Sequence, residues 1–406
     1  MNLEERILRA EQELEPCFSE IDRIALFNSE KVLSAFREER IAVRHFAPSS
    51  GYGYGDEGRE ALGKVFARAF GSEKAIVSPS ILSGTHAITC ALFGILRPEE
   101  DMLIITGTPY DTLRNVIWET GNGSLQDFKI GADVVPLDPN GKIDFNAVQA
   151  ALALKPYRVV YLQRSRGYEL RDSFTTDEIG KACDFVRNCG FGGCIFVDNC
   201  YGEFAERYEP TQAGADLIAG SLIKNPGGGL APTGGYIAGK ETYVNAVANR
   251  LTAPSVGAEI GSYAYGYQSY FQGFFLAPHT VAQALKGSLL IGKCLEDMGY
   301  ENFPKLDRIT ADITRAVRFH TEKELVDFIV SVQECSPVDS FVRPEAWDMP
   351  GYENKVIMAA GTFVGGATGE LSADAPIREP YTAYFQGGLT YEHCRIACKR
   401  ILQKLN

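Results

Sequence analysis

The run Ala215-Asp-Leu-Ile-Ala-Gly-Ser-Leu-Ile223 ends on Lys224, and Asn-Pro-Gly-Gly-Gly229 follows at once. A short apolar run without helical period, closed by proline and glycines, predicts a strand buried on both faces. The lysine then stands at the mouth of that strand. There desolvation disfavours the ammonium and makes a nucleophilic amine available. Upstream, Cys194-Ile-Phe-Val197 predicts a second buried strand, ending on Asp198. Side chains at the C-terminal ends of strands in α/β proteins point into the crevice where ligands bind.

A lone strand-end aspartate is usually a cap or turn former, and a lone lysine is usually a solvated charge. Together they match the demands of pyridoxal 5'-phosphate chemistry. The lysine attaches the cofactor covalently, and the aspartate keeps its pyridine nitrogen protonated so that the ring accepts electrons. The two residues are 26 positions apart, enough for one strand and its connections.

The chain is long enough, at 406 residues, for a large core and two or three domains. Its net charge of −12 argues against a general nucleic-acid surface. No window approaches the roughly 18 unbroken apolar residues of a membrane span, and the charged start, Met1-Asn-Leu-Glu-Glu-Arg, is unlike a signal peptide. The expected location is the cytoplasm. The ten cysteines include no Cys-x-x-Cys pair, and the five histidines are scattered, so the expectation is free thiols with no disulfide framework and no metal site.

Taken in order, residues 1 to about 40 predict a helix. Gly53-x-Gly55-x-x-Gly58 follows Pro48 and two serines rather than a strand, which excludes the dinucleotide-binding reading of that motif. A loop carrying Tyr52 and Tyr54 as ligand contacts is expected instead. From residue 59 strands and helices alternate. Ser83-Gly84-Thr85 opens a helix whose free N–H groups suit a phosphate, although Ser83 also serves as a simple cap. Tyr110 stands at a strand-to-helix corner where an aromatic ring stacks on a flat cofactor. Ser165 follows another strand at the crevice end, and Thr175-x-x-Glu178 is a capping box. Residues 250–277 predict an irregular, interface-forming stretch, and a long helix is expected from Pro278 to Met298. Beyond it, Phe328–Val332, Val356–Ala360 and Tyr381–Phe385 predict strands, and Glu392–Leu405 predicts a closing helix. This gives an N-terminal arm and interface loop (1–58), a large α/β domain with a mainly parallel sheet (59–290), and a smaller α+β domain (291–406).

With these residues in view, the chain resembles the fold type I pyridoxal-phosphate enzymes and, within them, the cystathionine/methionine lyases. More narrowly, it is similar to the bacterial methionine γ-lyase-like group often called aluminium-resistance proteins. The resemblance runs through Gly51-Tyr-Gly-Tyr54, Ser83-Gly-Thr-His-Ala87, Gln163-Arg-Ser-Arg-Gly-Tyr168, Val197-Asp-Asn-Cys-Tyr-Gly-Glu-Phe204, the Lys224 segment and Glu370-Leu-Ser-Ala-Asp-Ala-Pro-Ile-Arg-Glu-Pro-Tyr381. It implies that Lys224 carries the cofactor and Asp198 pairs with its ring nitrogen. Ser83, Gly84, Thr85 and Ser221 would hold the phosphate, and Tyr110 would stack on the ring. Tyr54 would be lent across the interface of a homodimer or homotetramer. Arg378 would grip the substrate carboxylate, with Ser165 and Tyr52 as further substrate contacts.

The chain departs from the better-known lyases in Ile223 before the lysine, Asn225 after it, and Asp56 where an arginine is usual. The implied activity is carbon–sulfur elimination at the β or γ carbon of a sulfur-containing amino acid. An aminotransferase, another amino-acid lyase and a non-catalytic cofactor-binding protein are the alternatives.

Overall fold

The computed structural model describes residues 2–306, 308–349 and 353–405. The N-terminal arm is one helix, α1 (Leu3–Glu38), opened by a capping box between Asn2 and Glu5. After a loop come α2 (Glu57–Ala69), β1 (Lys74–Ser78), α3 (Gly84–Ile95), β2 (Asp101–Ile104), α4 (Asp111–Trp118), β3 (Gly131–Val134), α5 (Phe145–Leu154) and β4 (Val159–Gln163). Next are α6 (Thr176–Asn188), β5 (Cys194–Asp198), β6 (Leu217–Ser221), β7 (Gly235–Gly239) and α7 (Glu241–Leu251).

These strands form one sheet in the order β1-β7-β6-β5-β4-β2-β3, and β7 alone runs against its neighbours. Strands β4 to β7 are buried at every position. Alternate residues feed different cores. Val160, Leu162, Ile195, Val197 and Ile218 face one layer. Val159, Tyr161, Phe196, Leu217 and Ala219 face the other. Covering both faces with apolar contacts is why these strands read as unbroken apolar runs. Parallel pairing also brings the ends of β4, β5 and β6 (Gln163, Asp198 and Ser221) to one edge, with Gln163 beside Asp198 in register.

Two sequence expectations give way. The stretch expected to be irregular is helical from Gln268, so α8 (Gln268–Glu296) encloses Pro278 instead of starting at it. Proline is the usual first-turn signal. Here packing overrides it, because Phe271 and Phe274 are buried and Phe274 stacks on Phe66 at 3.8 Å. The later residues Leu289, Ile291 and Leu295 of α8 share a core with Val317, Ala383 and Ile401.

The smaller unit contains β8 (Glu301–Phe303), β9 (Thr314–Arg318), α9 (Glu322–Glu334), β10 (Val356–Ala359), β11 (Ser372–Pro376), β12 (Thr382–Gln386) and α10 (Tyr391–Leu405). Its strands form an antiparallel sheet, β10-β11-β12-β9-β8. Phe328–Val332, expected as a strand, lies within α9. A five-residue apolar run fits a buried strand or a buried helix equally. The capping box of Thr321 and Glu324 decides for helix. Among the described residues no helix is long and apolar enough to cross a membrane, and no group of His, Cys, Asp and Glu is placed to hold a metal ion.

Candidate active site

A cleft of about 460 Å³ opens where the C-terminal edge of β4–β6 meets the antiparallel sheet. Asp198 closes its floor. The side chain is buried, and Oδ1 accepts the Cys200 N–H at 3.0 Å while Tyr161 donates to Oδ2 at 3.5 Å. Burial raises its pKa, and the charge on Lys224 and the hydrogen bonds from Cys200 counter part of that rise.

Lys224 lies three residues beyond the end of β6 and lines the same cleft. Asn225 fixes the turn behind it, donating from Nδ2 to the carbonyls of Tyr201 (2.8 Å) and Glu203 (2.9 Å). Asn225, Pro226 and Gly227 form a short 3-10 turn. A Cβ on Gly228 would meet the Gly273 carbonyl oxygen at 2.1 Å, and the residue has φ +55°, so only glycine lets the turn lie on α8. The lysine is thus presented by backbone packing. The charge on the amine departs from the sequence expectation. Burial does pull the ammonium pKa down, but the acidic groups Cys200, Tyr201, Asp198 and Tyr110 outweigh it and the net shift is upward.

Tyr201 is a site residue that the sequence reading passed over. Its backbone is left-handed, φ +72°, a conformation that costs a bulky residue energy and tends to mark functional turns. Its ring lies 3.8 Å from Lys224 Nζ, a cation–π contact. Cys200, between Asp198 and Tyr201, also lines the cleft. Nothing in the sequence pattern signals a left-handed tyrosine.

A phosphate-sized anion has a prepared place beside the lysine. The first N–H groups of α3 have no intrahelical partner, and Gly84 and Thr85 border the cleft. A Cβ at Gly84 would stand 2.9 Å from Cys200 Sγ and 4.0 Å from Lys224 Nζ, so glycine keeps this space open. Ser221 Oγ is buried and finds no hydrogen-bond partner among the described residues, a costly state unless a ligand supplies one. Ser83 Oγ accepts the His86 N–H at 3.0 Å, so Ser83 caps the helix as well as bordering the cleft. These residues fit pyridoxal phosphate: a helix start and orphan hydroxyl for the phosphate, an amine for the aldehyde carbon, and a buried carboxylate for the ring nitrogen.

Tyr110 begins α4. Its N–H is held by Gln163 Oε1 at 3.1 Å, and its hydroxyl meets Thr85 Oγ1 at 3.2 Å. Burial and the negative charge of Asp198 keep the phenol protonated well beyond its ordinary range. The far wall carries Tyr168, whose hydroxyl donates to Asp374, and Tyr384, which donates to the Tyr168 carbonyl. Arg378 and Ser165 border this part as well. Ser165 uses its carbonyl to accept from Gln163 and Arg171. The Arg378 guanidinium makes no hydrogen bond or ion pair among the described residues and is exposed.

Tyr52 and Tyr54 depart from the others. They are 72% and 70% exposed, with rings 5.8 Å apart, and neither lines the cleft of its own chain. Their loop is fixed by Arg59, which donates to the carbonyls of Gly53 and Gly261. Asp56, standing where an arginine is usual, caps α2 and accepts from Tyr267 at 2.7 Å, so its role is local.

A large mixed sheet with one reversed strand, a smaller antiparallel sheet and a lysine–aspartate pair at the shared cleft define the fold type I class of pyridoxal-phosphate enzymes. The fold is shared with YhfS of Escherichia coli, a pyridoxal-5'-phosphate-dependent protein, over 94% of this chain and 97% of that one, with a TM-score of 0.64 at 14% identity. Residues 3–406 match the methionine γ-lyase family model, and the chain belongs to that family. It is 47% identical to YnbB of Bacillus subtilis (strain 168) over 97% of this chain and 94% of that protein. Among solved structures, a carbon–sulfur lyase involved in aluminium resistance from Clostridium novyi NT superposes with a TM-score of 0.96 at 45% identity, covering 100% of this chain and 96% of that one. A Listeria innocua protein named as a candidate cystathionine β-lyase involved in aluminium resistance gives 0.97 at 50% identity, with both chains fully covered.

Proposed function

We propose that the protein is a pyridoxal-phosphate-dependent carbon–sulfur lyase. Its substrate is a sulfur-containing amino acid, eliminated at the β or γ carbon to release a thiol, ammonia and an oxo acid. The observation that carries this reading is the convergence of Lys224, Asp198 and the partnerless Ser221 hydroxyl at one strand edge. The family match and the names of the relatives support the sulfur chemistry.

The cofactor, once bound, supplies an electron sink for charge developing at the substrate α-carbon. The protein supplies the rest. Ser221 and the N–H groups of Gly84 and Thr85 would hold the phosphate. Asp198, kept from solvent, would keep a proton on the ring nitrogen, and Tyr110 would stack on the ring. Lys224 would hold the cofactor's aldehyde carbon at rest and, with its amine free, would serve as the general base for the α-proton. Tyr110 retains its phenolic proton and is the donor available to the departing sulfur. Arg378 takes the substrate carboxylate in a bidentate grip, with Ser165 beside it. The exposure of Tyr52 and Tyr54 supports reading their loop as one lent to the cleft of a second copy, so the working unit is at least a dimer.

Product analysis with S-alkyl cysteine and methionine substrates tests the reading. Free thiol, ammonia and oxo acid in equal amounts are expected. Pyridoxamine phosphate accumulating without thiol would overturn it in favour of transamination.

A further inference from the structure

We propose that Arg166 is a specificity-determining residue that receives a second carboxylate, so that preferred substrates are amino acids whose side chain ends in a carboxylate group. This rests on the lyase reading of the same cleft. Arg166 is 1% exposed. Its Nη1 donates to the Phe303 carbonyl at 2.6 Å, while Nε and Nη2 find no partner among the described residues. Nearby Arg315, 0% exposed, repeats the pattern, with Nη1 on the Pro304 carbonyl at 2.6 Å and Nε and Nη2 unpartnered.

Neither guanidinium forms an ion pair among the described residues. The buried carboxylate that acts on both, Asp312, already accepts from Ser173 Oγ and from the Thr314 N–H (3.0 Å) and hydroxyl (2.9 Å). Half-buried Asp172 also acts on both and Glu296 on Arg315, but none of the three carboxylates forms an ion pair with either guanidinium among the described residues, and buried positive charge without a contacting counter-ion is costly away from water. Burial accordingly pushes the Arg166 pKa down and that of Arg315 down to about 9.

This surplus borders the cleft. Arg166 and Thr314 both line it, and Tyr384 feels the charge of Arg166 and of Arg378 together. A planar guanidinium with two idle donors is a bidentate receptor for a carboxylate. Arg378, exposed at the rim, is the receptor assigned to the α-carboxylate. A second receptor in the same cleft calls for a second anionic group on the ligand.

The test is calorimetric titration of the cofactor-loaded protein with glutarate and with butyrate, which differ by one carboxylate. Wild type is expected to bind glutarate at least about 10-fold more tightly. R166Q should lose that preference and leave butyrate binding unchanged. Equal binding of the two acids by wild type, or a preference that survives R166Q, overturns the proposal and leaves interior water as the partner of these donors. If R166Q does not fold, wild-type kinetics decide. A kcat/KM at least about 10-fold higher for S-(2-carboxyethyl)cysteine than for S-propylcysteine is expected, and equal values overturn the proposal. Failure of both substrates to release thiol, with the glutarate preference intact, would sink the lyase reading and leave this one standing.

Discussion

The two sheets meet at one cleft but contribute to it in different ways. The parallel sheet delivers side chains that are already fixed. Asp198 is held by the Cys200 N–H, the lysine turn by Asn225, and Tyr110 by Gln163. The antiparallel sheet and its loops deliver Asp374, Tyr384 and Arg378, and the Arg378 guanidinium is exposed and unpaired among the described residues. Rigid elements suit groups that must hold the reacting atoms in place. A less constrained wall suits the choice of substrate. On the proposed reading the chemistry belongs to the large sheet, and selectivity to the small one and the residues it touches.

Breaking the large-sheet side should cost the most. Lys224→Ala is expected to abolish turnover, by more than about 10³-fold in kcat, with circular dichroism unchanged. Asp198→Asn should retain the cofactor but lower kcat by about 10²- to 10⁴-fold, read from initial rates beside the cofactor absorbance. On the small-sheet side, Arg378→Gln should raise KM by about 10- to 100-fold and leave the absorbance untouched. A large fall in kcat with unchanged KM would dissolve the division between the sheets.

The smallest effect concerns support beneath the parallel sheet. Glu203 is fully buried, accepts from Tyr236 at 2.8 Å, and has an Oε2 without a hydrogen-bond partner among the described residues. Burial raises its pKa to about 8. The folded state therefore binds the extra proton between the ordinary carboxylate range and pH 8, and this group's contribution to stability falls as pH rises through that window. Glu203→Gln should flatten the fall and raise the melting temperature above pH 8 by a few degrees, on the order of 1–2 kcal/mol. Thermal melts of both proteins from pH 5 to 9 check it, and parallel curves would contradict it.

The sheets also differ in how far the sequence reveals them. Strands buried on both faces leave long apolar runs, so β4, β5 and β6 and the residues that end them were legible. Lys224 and Asp198 stood out because charges closed those runs. The antiparallel sheet has short strands with polar members, such as Thr314-Arg-Ala-Val-Arg318 and Ser372-Ala-Asp-Ala-Pro376, and β8, β9 and β11 gave no periodic signal. The helix at Phe328–Val332 read as a strand because its capping box lay seven residues upstream, at Thr321. Tyr201, Cys200, Asp374 and Arg166 were invisible as site residues for another reason. Their importance lies in a left-handed backbone, a neighbour across the cleft or an unmade hydrogen bond, none of which sequence spacing records.

The most direct test of the central claim is to incubate the protein with pyridoxal phosphate, reduce it with borohydride and locate the adduct by peptide mass spectrometry. The account predicts one stable pyridoxyl adduct, on the peptide containing Lys224, lost in Lys224→Ala. An adduct scattered over surface lysines, or none on that peptide, would contradict it.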